Sequence, residues 1–221
     1  MGALDQASLS LALDFANTAD WHAGPDPEER LTDYEAVLGW ARKNGILDEA
    51  QAEHLLSQAQ ADSATQKEAL TRVIALREAL YRIFSAIAGM RAPDHADLQV
   101  LHAELGEALV HLHLAVAAEG HGGVQTAAVS AGVLPAFVWT WTGMTESLTS
   151  LLWPVARSAA GLLTSPRLTR VRECAGHPCG WLFLDHSKNG TRRWCNMADC
   201  GNRAKARRYR ERKKGEAAAG K

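Results

Sequence analysis

All four cysteines of this 221-residue chain lie between positions 174 and 200, and the 173 residues before them contain none. They form two pairs of equal spacing, Cys174-x4-Cys179 and Cys195-x4-Cys200, with a loop of fifteen residues between the pairs. Four thiolates are the complete tetrahedral ligand set of a structural Zn²⁺ ion, and a short spacing lets each pair bind the metal from one side. This pattern predicts one zinc ion bound by sulfur alone.

Two alternatives compete with that zinc site. Two disulfides would need an oxidising compartment, but residues 1–18 include Asp5 and no Lys or Arg, which is unlike a secretory signal. His177, inside the first cysteine pair, is the one competing ligand and leaves a mixed site open. We favour a zinc ion on the four cysteines over both alternatives.

Charge divides the chain near the same place. Residues 1–164 hold nine Lys or Arg and twenty Asp or Glu, a net charge of −11, whereas residues 165–214 hold fourteen and four, a net charge of +10. A basic module on an acidic body is typical of a nucleic-acid-binding protein with a separate regulatory domain. A solvated basic tail is the alternative. We favour nucleic-acid binding because the positive charges sit within and directly after the metal-organised segment.

Residues 1–165 are predicted to form a helical domain. Apolar residues recur at helical spacing over 31–43. Asp48 and Ser63, each followed three residues later by Gln, resemble the N-caps of two helices, one through residue 60 and a longer one that ends near Gly89. A further helix is expected to begin at Asp94 and to run through about residue 118. Together these segments predict a helix bundle.

The pattern changes after Gly120. Residues 124–129 and 133–142 are rich in Val, Thr and Trp, and residues 138–142 alternate with period two. This favours a small β-hairpin with one face on the bundle. A helix is expected from about residue 147 to 163, in which Pro154 implies either a kink or a fresh start. Ser165-Pro166 ends it and marks the domain boundary.

The cysteine segment predicts a small module with its own order of elements. Gly180 after the second cysteine allows a positive φ that turns backbone N–H groups toward sulfur. Residues 181–184 resemble a strand, residues 186–190 a turn, and residues 191–195 a returning strand that brings Cys195 to the metal. Asp199 is the expected N-cap of a helix that starts near Cys200. We therefore predict a treble-clef-like zinc-finger module that ends in a basic helix.

That last helix, residues 200–214, holds eight Lys or Arg against the single acid Glu211. Only Ala204, Ala206 and Tyr209 are expected to pack inward. So many like charges repel one another in an isolated helix, and a polyanion relieves the repulsion. The candidates for reading base edges or contacting phosphate are Arg192, Arg193, Asn202, Arg203, Lys205, Arg207, Arg208, Arg210 and Arg212.

Other polar and aromatic residues of the helical domain have structural interpretations that we favour. His102, His111 and His113 share a segment, but 111 and 113 diverge on a helix and cannot share a metal there. The residues kept as candidate ligand contacts are Asp14, Asn17, Arg77, Trp139 and Trp141. The structural alternatives are a salt bridge from Arg77 to Asp14 and plain core for both tryptophans. We found no catalytic motif and therefore expect no enzyme.

Two stretches resemble known families. Cys200-Gly201-Asn202-Arg203, preceded by the cysteines and by residues 181–185 and 192–197, resembles the signature of the CGNR zinc finger, over roughly residues 168–212. Residues 13–18, 31–34, 76–80 and 152–159 resemble the ABATE domain that is usually joined to this finger in stress-induced bacterial transcription regulators. The resemblance implies a cytoplasmic bacterial regulator, and it does not identify the signal sensed.

These observations define a mostly α protein with three parts: a regulatory or ligand-sensing helical domain (1–165), a zinc finger (166–214) and a disordered tail (215–221). We expect one structural Zn²⁺, duplex DNA as partner, an unidentified small-molecule ligand or homodimerisation for the helical domain, and no membrane span. An RNA-binding or ribosome-associated protein is one alternative. A small-molecule-binding domain with a purely structural finger is the other.

Overall fold

The computed structural model describes residues 6–116 and 137–219, and the protein is mostly helical, as predicted. The helices are α1 (Gln6–Ala16), α2 (Tyr34–Lys43), α3 (Glu49–Ala61), α4 (Ser63–Ala88), α5 (His95–Val110), α6 (Leu152–Leu163) and α7 (Asn202–Ala219). The strands are β1 (Ala19–Asp20), β2 (Glu28–Glu29), β3 (Leu112–Val116), β4 (Phe137–Trp141), β5 (Val171–Glu173) and β6 (Leu182–Leu184), which form three two-stranded antiparallel sheets. Within the described ranges, no helix is both long enough and apolar enough to cross a bilayer.

The apolar core lies around α4, which packs against α1, α2, α3 and α5 and against β5 and β6, while α6 packs on α1 and α5. Its largest fully buried side chains include Phe15 of α1, Phe84 of α4 and Trp153 of α6. The α1 helix crosses α6 closely, and the buried Ser158 hydroxyl accepts the Ala12 N–H at 3.0 Å. Burial of this apolar surface is the main source of stability for the body, by which we mean residues 6–116 and 137–165.

Ion pairs explain the arginines that interrupt the apolar stripe of α4. Arg72 and Arg82 reach across to the buried acids Glu104 and Asp97 of α5, at 2.6 Å in both cases. The predicted pairing of Arg77 with Asp14 is wrong. Arg77 is buried and pairs with Glu29 at 2.6 Å, because the 17–30 segment folds back over α4, while Asp14 is exposed.

The starts of two helices of the body differ from the sequence-based expectation. The Asp48 capping box is confirmed, but α4 is capped by Asp62, whose carboxylate accepts the N–H groups of Ala64 and Thr65, and not by Ser63. A carboxylate is as good a cap as a serine hydroxyl, so adjacent Asp and Ser compete for the position. The sixth helix begins at Leu152 rather than near residue 147, and Pro154 lies in its first turn as a fresh start.

The predicted hairpin has a different partner strand. The α5 helix, expected to run through about residue 118, ends at Val110, and β3 follows it directly. β3 pairs with β4 in the register Leu114↔Trp139. Residues 124–129, the other half of the predicted hairpin, lie outside the described residues. His111 and His113 therefore lie at a helix C-cap and in a strand, and the ring of His111 stacks on that of Trp153 at 3.9 Å.

The third sheet ties the cysteine segment to the body. Val171 and Leu182, from β5 and β6, belong to the same buried cluster as the helices. Asn17, at the end of α1, is 3% exposed; its side-chain amide donates to the Leu182 carbonyl and accepts the Leu182 N–H, both at 2.8 Å. The amide of Asn17 thus takes the place of a neighbouring strand along β6.

Candidate metal centre and nucleic-acid interface

The four cysteine sulfurs converge at one point. The Sγ atoms of Cys174, Cys179, Cys195 and Cys200 all lie within 4.8 Å of one another, and all four thiols are free of disulfide bonds. Cys195 Sγ lies 3.7 Å from both Cys179 Sγ and Cys200 Sγ. A tetrahedral ion with Zn–S bonds of about 2.3 Å requires sulfur–sulfur distances of about 3.8 Å. The donor set and its spacing therefore fit zinc.

Backbone N–H groups support the sulfurs. The N–H of Cys195 donates to Cys174 Sγ at 3.4 Å, and Gly176 and Trp181 donate to Cys174 and Cys179. Gly180 has the predicted positive φ, +68°, and a Cβ atom there would lie 2.5 Å from the Ala23 backbone nitrogen. Glycine is thus required both by the backbone conformation of the metal loop and by its contact with the body.

The cluster disfavours the charged form of two of its thiols. Burial, followed by repulsion from the neighbouring Cys174, raises the pKa of Cys179 to about 12, and burial likewise raises the pKa of Cys195. For Cys174, burial is outweighed by N–H donors, above all from Cys195, which lower its pKa. A bound divalent ion replaces the protons on these thiols, so metal binding releases protons.

His177 does not join the metal group. Its side chain is exposed, whereas three of the four cysteines are buried, and the cluster within 4.8 Å consists of cysteines alone. The mixed site that the sequence left open therefore has no support among the described residues.

The returning segment is built differently from the prediction. β6 pairs with β5, which precedes the first cysteine, and residues 191–195 form no strand. They are held instead by the buried carboxylate of Asp185, which accepts the Ser187 and Arg192 N–H groups at 2.8 and 3.0 Å, and by the bond from Ala175 N–H to the Arg193 carbonyl. The treble-clef-like arrangement stays a prediction.

The start of the final helix also differs. Asn196, not Asp199, is the N-cap: its side chain accepts the Ala198 N–H, and a wide turn over Met197–Gly201 leads into α7. Cys200 lies in this turn, as the sequence indicated. The α7 helix continues to Ala219, and so extends into the span 215–221 that was predicted as a disordered tail.

The signature residues Asn202 and Arg203 after Cys200 are exposed, but both make contacts within the chain. The Asn202 amide donates to the Ala198 carbonyl at 3.0 Å. The Arg203 guanidinium donates to Cys200 Sγ at 3.4 Å and lies over the Trp21 ring of the body, 4.6 Å from its centroid. These side chains therefore fix the metal centre and its contact with the body.

Arg192 and Arg193 differ in a similar way. The guanidinium of Arg192 donates to the carbonyls of Trp194 and Cys195 and lies over the Phe183 ring at 4.5 Å. Arg193 is exposed and stacks on Trp194 at 5.4 Å. Arg192 thus closes the loop between the cysteine pairs, and Arg193 faces outward.

The rest of α7 projects from the metal centre. Of residues 202–213 only Ala204 is buried; Ala206 and Tyr209, which were expected to pack inward, are exposed because the helix leaves the module after its first turn. Glu211 is the single acid there and lies 3.8 Å from Arg207. We call residues 205–213 the arm. Its exposed cations are Lys205, Arg207, Arg208, Arg210, Arg212 and Lys213.

The candidate ligand contacts of the helical domain do not form one site. Asp14 is exposed on α1, Asn17 binds Leu182, and Arg77 pairs with Glu29. Trp139 and Trp141 lie on β4; Trp141 packs against the core and Trp139 is 41% exposed. A ligand-binding role for any of them stays a prediction.

Sequence reasoning missed the residues through which the body meets the metal module. Trp21 and Arg30 contact Arg203 and Trp181 as cation–π pairs. Glu173 accepts a hydrogen bond from Ser85 of α4 at 2.6 Å. A tryptophan inside a loop rich in Pro and Gly is an unusual position for an apolar ring, and that was the available signal.

Comparison with known families agrees with this geometry. Residues 170–213 match the family model of the CGNR zinc finger, and residues 9–166 match the ABATE model, described as "Putative stress-induced transcription regulator". A search of curated proteins gave no match. The matched finger contains all four cysteines, so the cluster is a single structural zinc site. Since the ABATE match covers most of the chain, the protein belongs to the ABATE family and carries a CGNR zinc finger at its C-terminal end.

Proposed function

We propose that the protein is a zinc-dependent transcription regulator that binds duplex DNA through the arm. The observation that carries this proposal is a helix whose exposed surface is almost entirely cationic and whose first turn is fixed to a zinc centre. Zinc would supply only a structural cross-link here, because four thiolates leave no open coordination position for a substrate.

The charge of the arm favours a polyanionic partner. Arg207 and Arg210, and likewise Arg208 and Arg212, are three and four positions apart, so the free helix repels itself. Phosphate groups along a duplex would neutralise these charges and release counterions, which is the main source of non-specific affinity. Arginine predominates over lysine, and its planar fork suits phosphate and guanine.

The side-chain contacts divide the nine candidate residues into two groups. Arg192, Asn202 and Arg203 donate within the zinc module and are proposed to position the arm. Arg193 and the arm cations are proposed to contact DNA. Recognition of particular bases therefore falls to the arm rather than to the signature residues of the finger.

We further propose that the body regulates this binding, either by sensing a signal or by mediating oligomerisation, and that it has no catalytic role. Support comes from the acidic charge of the body and from its direct contacts with the module, through Asn17, Trp21 and Ser85. A change of conformation in the body would reach the arm through these contacts.

Fluorescence anisotropy with the zinc-loaded full chain tests DNA binding. With six to eight phosphate contacts, we expect the slope of log K against log salt concentration on random duplex to be about −5 to −7. The triple variant Arg207→Gln/Arg208→Gln/Arg210→Gln should make that slope less negative by about 3.

A matched triple variant on the body, Lys43→Gln/Lys67→Gln/Arg91→Gln, removes the same number of exposed charges and should leave the slope unchanged. Absence of duplex binding at micromolar protein would refute the proposal. A marked preference for structured RNA in direct competition would replace DNA by RNA as the partner.

A further inference from the structure

A cleft of about 890 Å³ lies between the body and the zinc module, on the side of the metal centre where α7 begins. The body contributes Trp21 and Arg30, and the module contributes Trp181 and Arg203. The cleft is also lined by three of the zinc ligands, Cys179, Cys195 and Cys200, and by the acids Asp20 and Asp199. Its size suits a small organic ligand, since ligand sites are typically a few hundred to a thousand Å³.

The cleft carries two aromatic faces and two guanidinium groups in a crossed arrangement. Arg203 of the module lies over the Trp21 ring of the body at 4.6 Å, and Arg30 of the body lies over the Trp181 ring of the module at 5.6 Å. Both pairs span the two walls. A guanidinium group already covers one face of each ring, so a flat partner would stack by displacing that group or by using the opposite face.

The backbone at Trp21 provides an independent observation. Trp21 has φ = +56°, in the left-handed region that bulky residues rarely adopt. Its ring is only half-buried, so burial in the core does not account for the conformation. Backbone strain of this kind is concentrated at binding sites, where it holds a side chain in a working position.

Hydrogen-bonding groups complete the wall. The side-chain nitrogen of Asn196 and the side-chain oxygen of Asn202 have no partner among the described residues, although the other amide atom of each is bonded. Asp20 pairs with Arg30 at 2.5 Å. The cleft therefore offers amide groups for the edge of a heterocycle, while an anion would compete with Asp20 for Arg30 and with Cys200 Sγ for Arg203.

We propose that this cleft binds a nucleotide, with the base stacked on Trp21 or Trp181 and the phosphate on Arg30 and Arg203. A simple anion would not need the tryptophan rings, and an apolar ligand would not need the guanidinium groups. The nucleotide could be free, or it could be an unpaired nucleotide of a nucleic-acid strand, since both present a base face beside a phosphate. This inference goes beyond duplex binding by the arm and does not depend on it.

The test is calorimetric titration of the zinc-loaded full chain carrying the arm triple variant, which weakens the arm's own affinity for strands. The probes are adenosine 5′-monophosphate and a ten-residue oligodeoxyadenylate. Adenosine and ribose 5-phosphate serve as controls that lack the phosphate and the base. We expect one or both probes to bind, and both controls to bind at least about tenfold more weakly.

Two pairs of variants locate the binding. Trp21→Ala should weaken it on the order of tenfold or more, in line with loss of one stacked base, whereas Trp139→Ala, an exposed tryptophan on the far hairpin, should not. Arg30→Gln should weaken it, and Arg91→Gln should not. Trp21→Phe keeps an aromatic face and should retain most of the affinity, which separates loss of stacking from loss of folding.

Each outcome is decisive. Binding of the monophosphate that Trp21→Ala removes supports a free nucleotide, and binding of the oligonucleotide alone with the same variant pattern supports an unpaired base of a strand. The proposal is overturned by binding of neither probe, by equal binding of ribose 5-phosphate, or by equal effects of Trp21→Ala and Trp139→Ala. Failure of the wild-type chain to bind duplex would leave these results unaffected, so the two proposals fail separately.

Discussion

The body and the zinc module are stabilised by different interactions. In the body, residues such as Leu80, Phe84 and Trp153 are fully buried in one large apolar cluster. Around the metal, the buried cluster consists of only three cysteines and Phe183. A unit with so little apolar burial does not fold on hydrophobic free energy alone, so metal ligation takes its place.

The comparison shows where stabilisation by apolar packing gives way to stabilisation by metal ligation. This boundary does not coincide with the change of charge near residue 165, because β5 and β6 place Val171, Leu182 and Leu184 in the core of the body. The hairpin is therefore stabilised from both sides, by apolar packing and by the metal loop that it carries. Four predictions test this division, in decreasing order of effect.

Loss of zinc should have the largest effect, and it should be confined to one region. Chelation removes a ligation free energy on the order of 10–16 kcal/mol, and Cys195→Ser removes one of the four ligands on which that free energy depends. We expect residues 185–213 to lose protection in hydrogen exchange and duplex binding to disappear, while the body helices and the β5–β6 hairpin remain protected. Uniform loss of protection across the whole chain would contradict the division.

A cavity in the body should destabilise the body and leave zinc binding unchanged, which is the opposite of the effect of zinc loss. Phe84→Ala removes a fully buried ring from α4 and should lower the free energy of unfolding of the body by about 3–5 kcal/mol. Zinc content, measured by elemental analysis below the melting temperature, should stay at one ion per chain. Leu114→Ala, at a side chain that is 61% exposed, is the matched control and should change stability little.

The next largest effect is expected where Asn17 of the body binds Leu182 of β6. Asn17→Ala leaves the N–H and carbonyl of Leu182 without their partner and should cost about 2–3 kcal/mol. Asn44→Ala, which removes one exposed hydrogen bond to Trp40, is the control. We expect hydrogen exchange at β6 to accelerate only in the first variant. Equal effects of both substitutions would mean that Asn17 does not couple the regions.

The smallest expected effect is purely local to the body. Asp62→Ala removes the cap of α4 and should lower the melting temperature by roughly 2–4 °C, because the N–H groups of Ala64 and Thr65 lose their acceptor. Ser63→Ala should have little effect. A larger effect at Ser63 would mean that Ser63 is the cap, as the sequence indicated. Neither variant should change zinc binding.

The sequence predicted best where one physical rule acts alone. Equal cysteine spacing led to the metal centre, and the apolar stripes led to the bundle, because ligand geometry and helical periodicity are both local. Prediction failed where residues distant in sequence compete. Arg77 forms its ion pair with Glu29 instead of Asp14, and β6 pairs with β5 instead of residues 191–195, because the fold brings those partners nearer.

The same limit explains why the roles of the arginines and asparagines of the finger could not be predicted from the sequence. From the sequence, Arg192 and Arg203 look like any other cation of the basic segment. Their roles depend on Phe183, Cys200 and Trp21, which lie at different sequence separations and meet only in the folded chain. The arm was predictable as a charged helix, but its direction away from the module was not, because Ala206 and Tyr209 could have packed inward.

The amide of Asn17 has a consequence for how copies of this protein behave toward one another. A two-stranded ribbon such as β5–β6 has open flanks, and an open flank is a template on which a foreign chain can add itself and start aggregation. By occupying the outward N–H and carbonyl of Leu182, a single side chain closes that flank of β6. Crowded, partly unfolded copies are thereby denied an attachment point at this position.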